Sequence, residues 1–112
     1  MMQKMENLHV YKDYHDIRIN GIYHDKSQNI LKLLCDNSQE IIFSNILQFE
    51  LNFFSDQNVI FEINSYKTKE LPVPIMEDYP FLKNYINTDL LIFYINSSVG
   101  LSGVIICENK YK

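Results

Sequence analysis

Apolar and polar residues alternate along two neighbouring stretches in the middle of the chain. Every second residue is apolar from Leu47 to Phe53, and the alternation resumes from Val59 to Ile63 after the polar turn 55–58. A period of two is typical of a β-strand with one buried face, so the pattern predicts a β-hairpin. Its core face would carry Leu47, Phe49, Leu51, Phe53, Val59, Phe61 and Ile63. Its solvated face would carry Gln48, Glu50, Asn52 and Glu62.

Three shorter apolar stretches, separated by polar turns, predict further strands before this hairpin. They run from Ile17 to Tyr23, from Ile30 to Cys35 and from Glu40 to Phe43. Gly21 interrupts the first of them, and a glycine inside a strand favours a β-bulge or a close approach of another backbone. Successive strands with short turns between them are typical of an antiparallel meander.

The last two apolar stretches differ from the others because they are apolar on both faces. They run from Leu90 to Ile95 and from Gly103 to Cys107, with a short turn between them. Strands of this kind are typically covered on both sides. We therefore expect this terminal hairpin at the centre of the sheet, under a helix or a second sheet, or against another subunit.

The segment between the two hairpins contains the one stretch with a helical pattern. Lys67 to Ile75 includes two prolines and should be extended. From Met76 to Asn87 the apolar residues recur at helical spacing, with Asp78 as the N-cap and Pro80 in the first turn. The predicted fold is mainly β: an antiparallel meander that forms a curved sheet, a half-barrel or a small sandwich, with one short helix near residues 76–87.

Length and charge limit the classes of function. A chain of 112 residues fits a single domain, 1–112, in which residues 1–8 are a candidate disordered tail. The net charge of −4 argues against a nucleic-acid partner, which would require a basic patch. No apolar run approaches the length of about 18 residues that spans a membrane, and no signal-peptide core begins the chain. We therefore expect a cytoplasmic protein with no membrane partner.

The patterns of nucleophilic and phosphate-binding enzymes are missing from the sequence. Cys35 and Cys107 lie in apolar strands and are expected to be buried free thiols, with a disulfide only if their strands are neighbours. The serines of Ser97-Ser98-Val99-Gly100 lack the Gly-x-Ser-x-Gly context of a nucleophile elbow. Three glycines in the whole chain leave no phosphate-binding loop. We expect no cofactor and no enzymatic activity.

A group of histidines and aspartates near the N-terminus is the alternative to that expectation. His9, Asp13, His15 and Asp16 combine imidazoles with neighbouring carboxylates, which is a common arrangement of metal ligands. Their spacing matches no recognised metal-binding pattern, and turn and strand-end residues that bond backbone amides are the better explanation. We predict no metal site and keep a metal-dependent enzyme that uses these four residues as the alternative.

Tyrosines and acidic residues between the hairpins make a candidate binding surface. Tyrosine is enriched in protein interfaces because it combines a large apolar ring with a polar tip. The segment Glu70–Asp89 separates two regular parts of the predicted sheet, and our hypothesis is that it contacts a partner through Tyr79, Tyr85, Glu77 and Asp78. Packing of the tyrosines at the rim of the core is the more frequent alternative in a small β-domain. A further alternative is a structural homo-oligomer, for example a homodimer, joined through the terminal hairpin.

Several short motifs, in this order along the chain, resemble a group of small bacterial β-rich proteins. The motifs are His15-Asp16-x-Arg18-Ile19, Leu31-x-Leu33, Ile41-Ile42-Phe43-Ser44-Asn45-Ile46, Phe49-Glu50 and Gln57-Asn58-Val59-Ile60. The group includes uncharacterised proteins and the immunity-protein-50-like members of polymorphic toxin systems, and the resemblance covers residues 9–108. It implies a small cytoplasmic binding protein that neutralises a partner toxin and has no catalytic residues. The expected function is therefore a non-catalytic protein-binding module.

Overall fold

The structure is a computed structural model that describes residues 14–109. The strands are β1 (Ile19–Asp25), β2 (Ile30–Cys35), β3 (Glu40–Ser44), β4 (Ile46–Asn52), β5 (Val59–Lys67), β6 (Leu90–Val99) and β7 (Ser102–Glu108). Within these residues the helical segments are the α-helix α1 (Val73–Asp78) and 3-10 helices at Asp36–Ser38, Thr68–Glu70 and Pro80–Tyr85. The predicted mainly β class is confirmed. The candidate tail 1–8 lies outside the described residues.

The strands form two antiparallel sheets that pack together without closing into a barrel. One sheet has the order β1-β2-β3 and the other the order β4-β7-β6-β5. Residues 16–19 join the sheets at one corner, where the amide of Ile60 donates to the carbonyl oxygen of Ile17 at 2.9 Å. At another corner Asn45 alone connects β3 to β4, with a left-handed φ of 57° that asparagine tolerates better than most residues.

The predicted hairpin between β4 and β5 is wrong. β4 pairs with β7 and β5 pairs with β6, so the two strands are the opposite edges of the four-stranded sheet. The terminal hairpin of β6 and β7 lies between them, as its two apolar faces predict. Only a central position removes both faces of such strands from water. The edges of the sheet are therefore left to the half-polar β4 and β5.

Irregularities in strand pairing also move side chains away from the face that alternation predicts. The register of β4 against β7 shifts at Leu47, which is exposed, whereas Ile46 is buried. The register of β5 against β6 shifts around Phe61, which is 45% exposed, whereas Ile60 is fully buried. An extra residue in one strand reverses which side chains face the core. In β1 the register shift lies beside Gly21, where the sequence predicts a bulge.

One hydrophobic core fills the space between the two sheets. The ring centroids of Phe43 in β3 and Phe93 in β6 lie 5.2 Å apart across this space. Of the core residues predicted from the two alternating stretches, Phe49, Leu51 and Ile63 pack into it. The alternation therefore identifies part of the core correctly, although the pairing inferred from it is wrong.

A second core lies on the other face of the four-stranded sheet, under a helical layer. Its buried side chains are Leu71, Ile75, Tyr79, Leu82, Ile92, Val104 and Ile106. β6 and β7 are thus covered on both faces and paired along both edges, which confirms the prediction for the terminal hairpin. The surface that this hairpin leaves exposed lies at its turn, where Val99 is 42% exposed.

The helical segment differs in detail from the helix expected at residues 76–87. α1 begins at Val73 and ends at Asp78, so Asp78 closes the helix and does not cap its start. Pro80 begins a separate 3-10 helix, and Tyr79 between the two has φ −132° and ψ 76°. A proline disfavours the helical conformation of the residue before it, which separates the two helices. Within residues 14–109 no helix is long and apolar enough to cross a membrane.

Candidate protein-binding surface

One end of the four-stranded sheet carries exposed apolar side chains beyond the helical layer. At this end β4 finishes, β5 begins and β6 turns into β7. The large exposed apolar residues found here are Phe53, Phe54, Phe61 and Val99. We call residues 50–62 and 96–102 the open end of the sheet. Exposed apolar groups that gather in one region commonly mark an interaction site.

The loop after β4 presents two adjacent phenylalanines to solvent. Phe53 is 75% exposed and Phe54 is 47% exposed, although the alternation predicts Phe53 in the core. Phe53 also has a φ of 66°, in the left-handed region that bulky side chains rarely occupy. Such a conformation persists only where the surrounding structure fixes it. The chain therefore turns at Phe53 and directs a large apolar residue away from the core.

Asn58 fixes this loop by hydrogen bonds to three parts of the chain. Its side chain is buried, with the residue only 3% exposed. The amide nitrogen donates to the carbonyl oxygens of Ser55 at 2.8 Å and Ile19 at 3.2 Å. The amide oxygen accepts from the backbone N–H groups of Ser55 at 2.9 Å and Leu101 at 3.0 Å. Both donors and both acceptor positions of the side chain are satisfied, so the loop is tied to β1 and to the β6–β7 turn.

Gly100 allows the loop to approach the β6–β7 turn closely. Its φ is 82°, and a β-carbon placed there would overlap the side-chain oxygen of Asn58 and the carbonyl oxygen of Gln57. Only glycine combines this backbone conformation with the space that the loop occupies. The aromatic loop thus has a fixed position in the free chain.

Further apolar residues extend the exposed surface along the neighbouring strands. Val59 pairs directly with Val99, and Val99 is exposed. Phe61, displaced by the register shift in β5, contacts the ring of His15 edge to face with 5.3 Å between centroids. The backbone of Arg18 forms a bridge with Val59, so the residue lies beside this margin.

The other margin of the open end is acidic and contains two tyrosines. Burial raises the pKa of Tyr79 above its usual value, and it raises the pKa of Tyr94 as well. Negative charge nearby adds to both increases: Glu50 and Asp78 act on Tyr79, while Asp78 and Glu62 act on Tyr94. Three carboxylates therefore lie within electrostatic range of this pair.

A side-chain network joins this acidic margin to the aromatic loop. Asn52, the last residue of β4, donates from its amide nitrogen to a carboxylate oxygen of Glu50 at 3.2 Å. The side chain of Asn52 also hydrogen-bonds Tyr79, which opposes part of the increase in the pKa of that tyrosine. Phe53 follows Asn52 directly, so the apolar and acidic parts of the open end are continuous.

The structure separates the four residues predicted to contact a partner. Asp78 and Tyr79 lie beside the open end, where Tyr79 bonds Asn52, but Tyr79 is only 7% exposed and belongs to the core under the helical layer. Tyr85 lies elsewhere, where its hydroxyl donates to the side-chain oxygen of Gln48 at 2.6 Å. Glu77 is exposed beside Asp78. A role of these residues in binding stays a prediction, and the buried ring of Tyr79 offers little surface for it.

The sequence contained one signal for the residues that the prediction missed. Phe53 and Phe54 are adjacent, so the second of them breaks the alternation that the first had continued. Two consecutive aromatic residues at the end of a half-buried strand cannot both face the core. Asn58 gave no signal of its own, because buried and exposed asparagines look alike at the end of a polar turn.

The candidate metal ligands are brought together only in part. The Nδ1 atom of His15 lies 3.3 Å from a carboxylate oxygen of Asp16, and both side chains are exposed. His9 and Asp13 lie outside the described residues. Across the part of the chain that the structure describes, no three His, Cys, Asp or Glu side chains form a group suited to a metal ion. Among the described residues, the metal-dependent alternative therefore keeps one contact between a histidine and an aspartate.

Both cysteines are buried in the core between the sheets and are free thiols. Burial raises the pKa of the Cys35 thiol to about 11, with the charges of Asp36 and Glu40 adding to the effect. Burial alone raises the pKa of Cys107 to about 12. Because the thiolate is the nucleophilic form, neither side chain is activated for catalysis at neutral pH.

Two surface concavities in the described structure are small. One, of about 230 Å³, lies between the start of β4 and the end of β1, beside the contact of His24 with Phe49. The other, of about 140 Å³, lies beside Arg18 and Asp36. Small-molecule sites usually measure about 300–1,000 Å³. Exposed side chains at the open end are therefore more prominent than either concavity as a binding feature.

Comparison of the chain with protein-family models, with curated proteins and with solved structures found no match. The arguments for a function consequently come from the residues and geometry of this chain.

Proposed function

We propose that this chain is a non-catalytic protein-binding module that contacts its partner through the Phe53–Phe54 loop. The observation that carries the proposal is the fixed exposure of Phe53, which is 75% accessible on a loop braced by Asn58. Aromatic anchors contribute a large share of the binding energy in protein interfaces. A loop that is ordered before binding avoids part of the entropy cost of association.

The finer proposal is that the partner is a bacterial toxin and that the chain acts as its immunity protein. The resemblance of motifs such as Gln57-Asn58-Val59-Ile60 to immunity-protein-50-like proteins supports it. These motifs include Asn58, the residue that fixes the aromatic loop. A net charge of −4 would also accelerate association with a basic toxin.

Co-expression with the protein encoded immediately upstream tests this role. An immunity function requires that this neighbour be a large secreted protein with a toxic C-terminal domain, and that the chain restore growth when both are produced. Failure to restore growth against that domain would contradict the toxin-neutralising role. Measured binding without rescue would leave the chain a binding module of another kind.

A double substitution tests the surface. We expect Phe53→Ser with Phe54→Ser to weaken binding of the neutralised domain by about 30-fold or more, the effect of losing a principal anchor. Val73→Ser is the matched control, because Val73 is an exposed apolar residue at the start of α1. Circular dichroism should show both variants folded. Equal affinities of the double variant and the control would contradict the assignment of the loop.

A further inference from the structure

We propose that the open end binds a polypeptide segment of the partner in which lysine or arginine flanks large apolar side chains. This inference rests on the proposed function and specifies the chemistry of what binds. The apolar side chains would contact Phe53, Phe54 and Phe61, and the cations would approach the acidic margin formed by Glu50, Glu62 and Asp78.

The area of the aromatic patch shows that the contact must extend beyond it. Phe53, Phe54 and Phe61 are 75%, 47% and 45% exposed. At about 200 Å² for a phenylalanine they present roughly 300 Å². A stable interface buries about 800 Å² on each partner. An occupant anchored on these side chains therefore has to cover neighbouring surface as well, and the network of Asn52 with Glu50 and Tyr79 adjoins Phe53 in the chain.

The negative charge of this region distinguishes between three candidate partners: a second copy of the chain, an anionic lipid surface and a basic polypeptide. Glu50 is hydrogen-bonded to Asn52 at the end of β4, its charge and that of Asp78 act on Tyr79, and the charges of Asp78 and Glu62 act on Tyr94. A second copy of the chain would bring the same carboxylates and the same net charge of −4 to the contact. An anionic lipid surface would be repelled in the same way. A basic polypeptide is attracted, and its cations gain most where the carboxylates meet apolar surface that excludes water.

A pair of synthetic peptides tests the chemistry directly. One alternates leucine or phenylalanine with lysine, and the other has glutamate in place of every lysine. We expect the lysine peptide to bind the full chain at least tenfold more tightly than the glutamate peptide in fluorescence anisotropy. Backbone amide shifts in nitrogen-15 spectra should concentrate in residues 50–62 and 96–102. Raising the salt concentration should reduce the difference between the peptides.

Charge-changing variants supply opposite expectations at the two margins. Glu62→Gln and Asp78→Asn should each weaken binding of the lysine peptide by about two- to fivefold, the range for partly exposed ion pairs. Arg18→Gln should strengthen it by a similar factor, because this removes a cation that repels lysine from a residue whose backbone is bridged to Val59. Glu70→Gln removes the same charge at the opposite end of β5 and should change nothing.

Several results would overturn the inference. Equal affinity for the two peptides, or no measurable binding of the lysine peptide, would contradict the basic chemistry. Amide shifts centred on the three-stranded sheet would contradict the location. Self-association of the free chain by light scattering, or binding to phosphatidylserine vesicles, would indicate a different partner. The proposed function fails separately, when the unsubstituted chain neither binds the protein encoded upstream nor restores growth against it. If that variant loses neutralisation while Glu62→Gln and Asp78→Asn leave peptide binding unchanged, the binding role stands and the basic chemistry is wrong.

Discussion

The side chain of Asn58 should be among the most important single contributors to the stability of the fold. Asn58→Ala removes four hydrogen bonds at once, to Ile19, to Leu101 and twice to Ser55. The two groups of Ser55 lie in an exposed loop and can bond water instead. The amide of Leu101 and the carbonyl of Ile19 belong to buried residues, so each loses a partner in a dry environment.

The magnitude follows from those two buried groups. Leaving a buried polar group without a partner costs about 1–3 kcal/mol. Two such groups make a loss of about 3 kcal/mol a reasonable expectation for the free energy of unfolding. This is a large fraction of the 5–15 kcal/mol by which a domain is typically stable. For a domain of this size it corresponds to a decrease in Tm of roughly 12 °C.

Urea unfolding at 25 °C measures the loss. Far-UV circular dichroism and tyrosine fluorescence suit this chain, which has eight tyrosines and no tryptophan. Asn84→Ala, an exposed asparagine in the 3-10 helix, is the control and should change stability by less than about 0.5 kcal/mol. A loss below about 1 kcal/mol for Asn58→Ala, with an unchanged denaturant slope, would refute the reasoning. It would mean that water replaces the side chain at the buried positions.

Two further predictions concern the centre of the four-stranded sheet and the buried thiols. Gly103→Ala should lower the free energy of unfolding by about 2–3 kcal/mol in the same assay. The added β-carbon would overlap the carbonyl oxygen of Glu50 and contact Leu51 in the neighbouring strand β4. An unchanged stability would contradict the close approach of β4 to β7. Native Cys35 and Cys107, with pKa values of about 11 and about 12, should react with a thiol reagent at pH 8 far more slowly than in urea, and rapid native labelling would contradict their burial.

The sequence predicts the parts of this fold in which strands are regular. The buried residues Leu31, Leu33 and Cys35 follow the expected alternation in β2, whose pairing with β3 has no register shift. The two-sided apolar character of Leu90–Ile95 and Gly103–Cys107 places these strands at the centre of the sheet, with the inner core on one face and the helical layer on the other. In both cases the position of the strand follows from which of its faces are buried, and the hydrophobic pattern of a sequence predicts those faces.

Strand pairing is the part that the pattern does not record. β4 and β5 read as a hairpin because they are neighbours in sequence with a short polar turn between them. Alternation specifies which face of a strand is buried, but not which strand lies beside it. The competing hairpin of β6 and β7 occupies the centre because it has two faces to bury, and it separates β4 from β5. The loop after β4 therefore crosses the end of the sheet, and a tight turn there would not reach β5.

That crossing connects the error in the fold prediction to the candidate site. A hairpin would have placed Phe53 in the core, opposite a residue of β5. Because the loop has to pass the β6–β7 turn, the chain takes a left-handed conformation at Phe53. At the opposite edge of the same sheet the register shift in β5 exposes Phe61. Asn58 and Gly100 then fix the crossing, the first by hydrogen bonds and the second by leaving space. The exposed aromatic surface is thus a consequence of the strand order. Because hydrophobic alternation does not specify strand order, it could not have predicted where this surface lies.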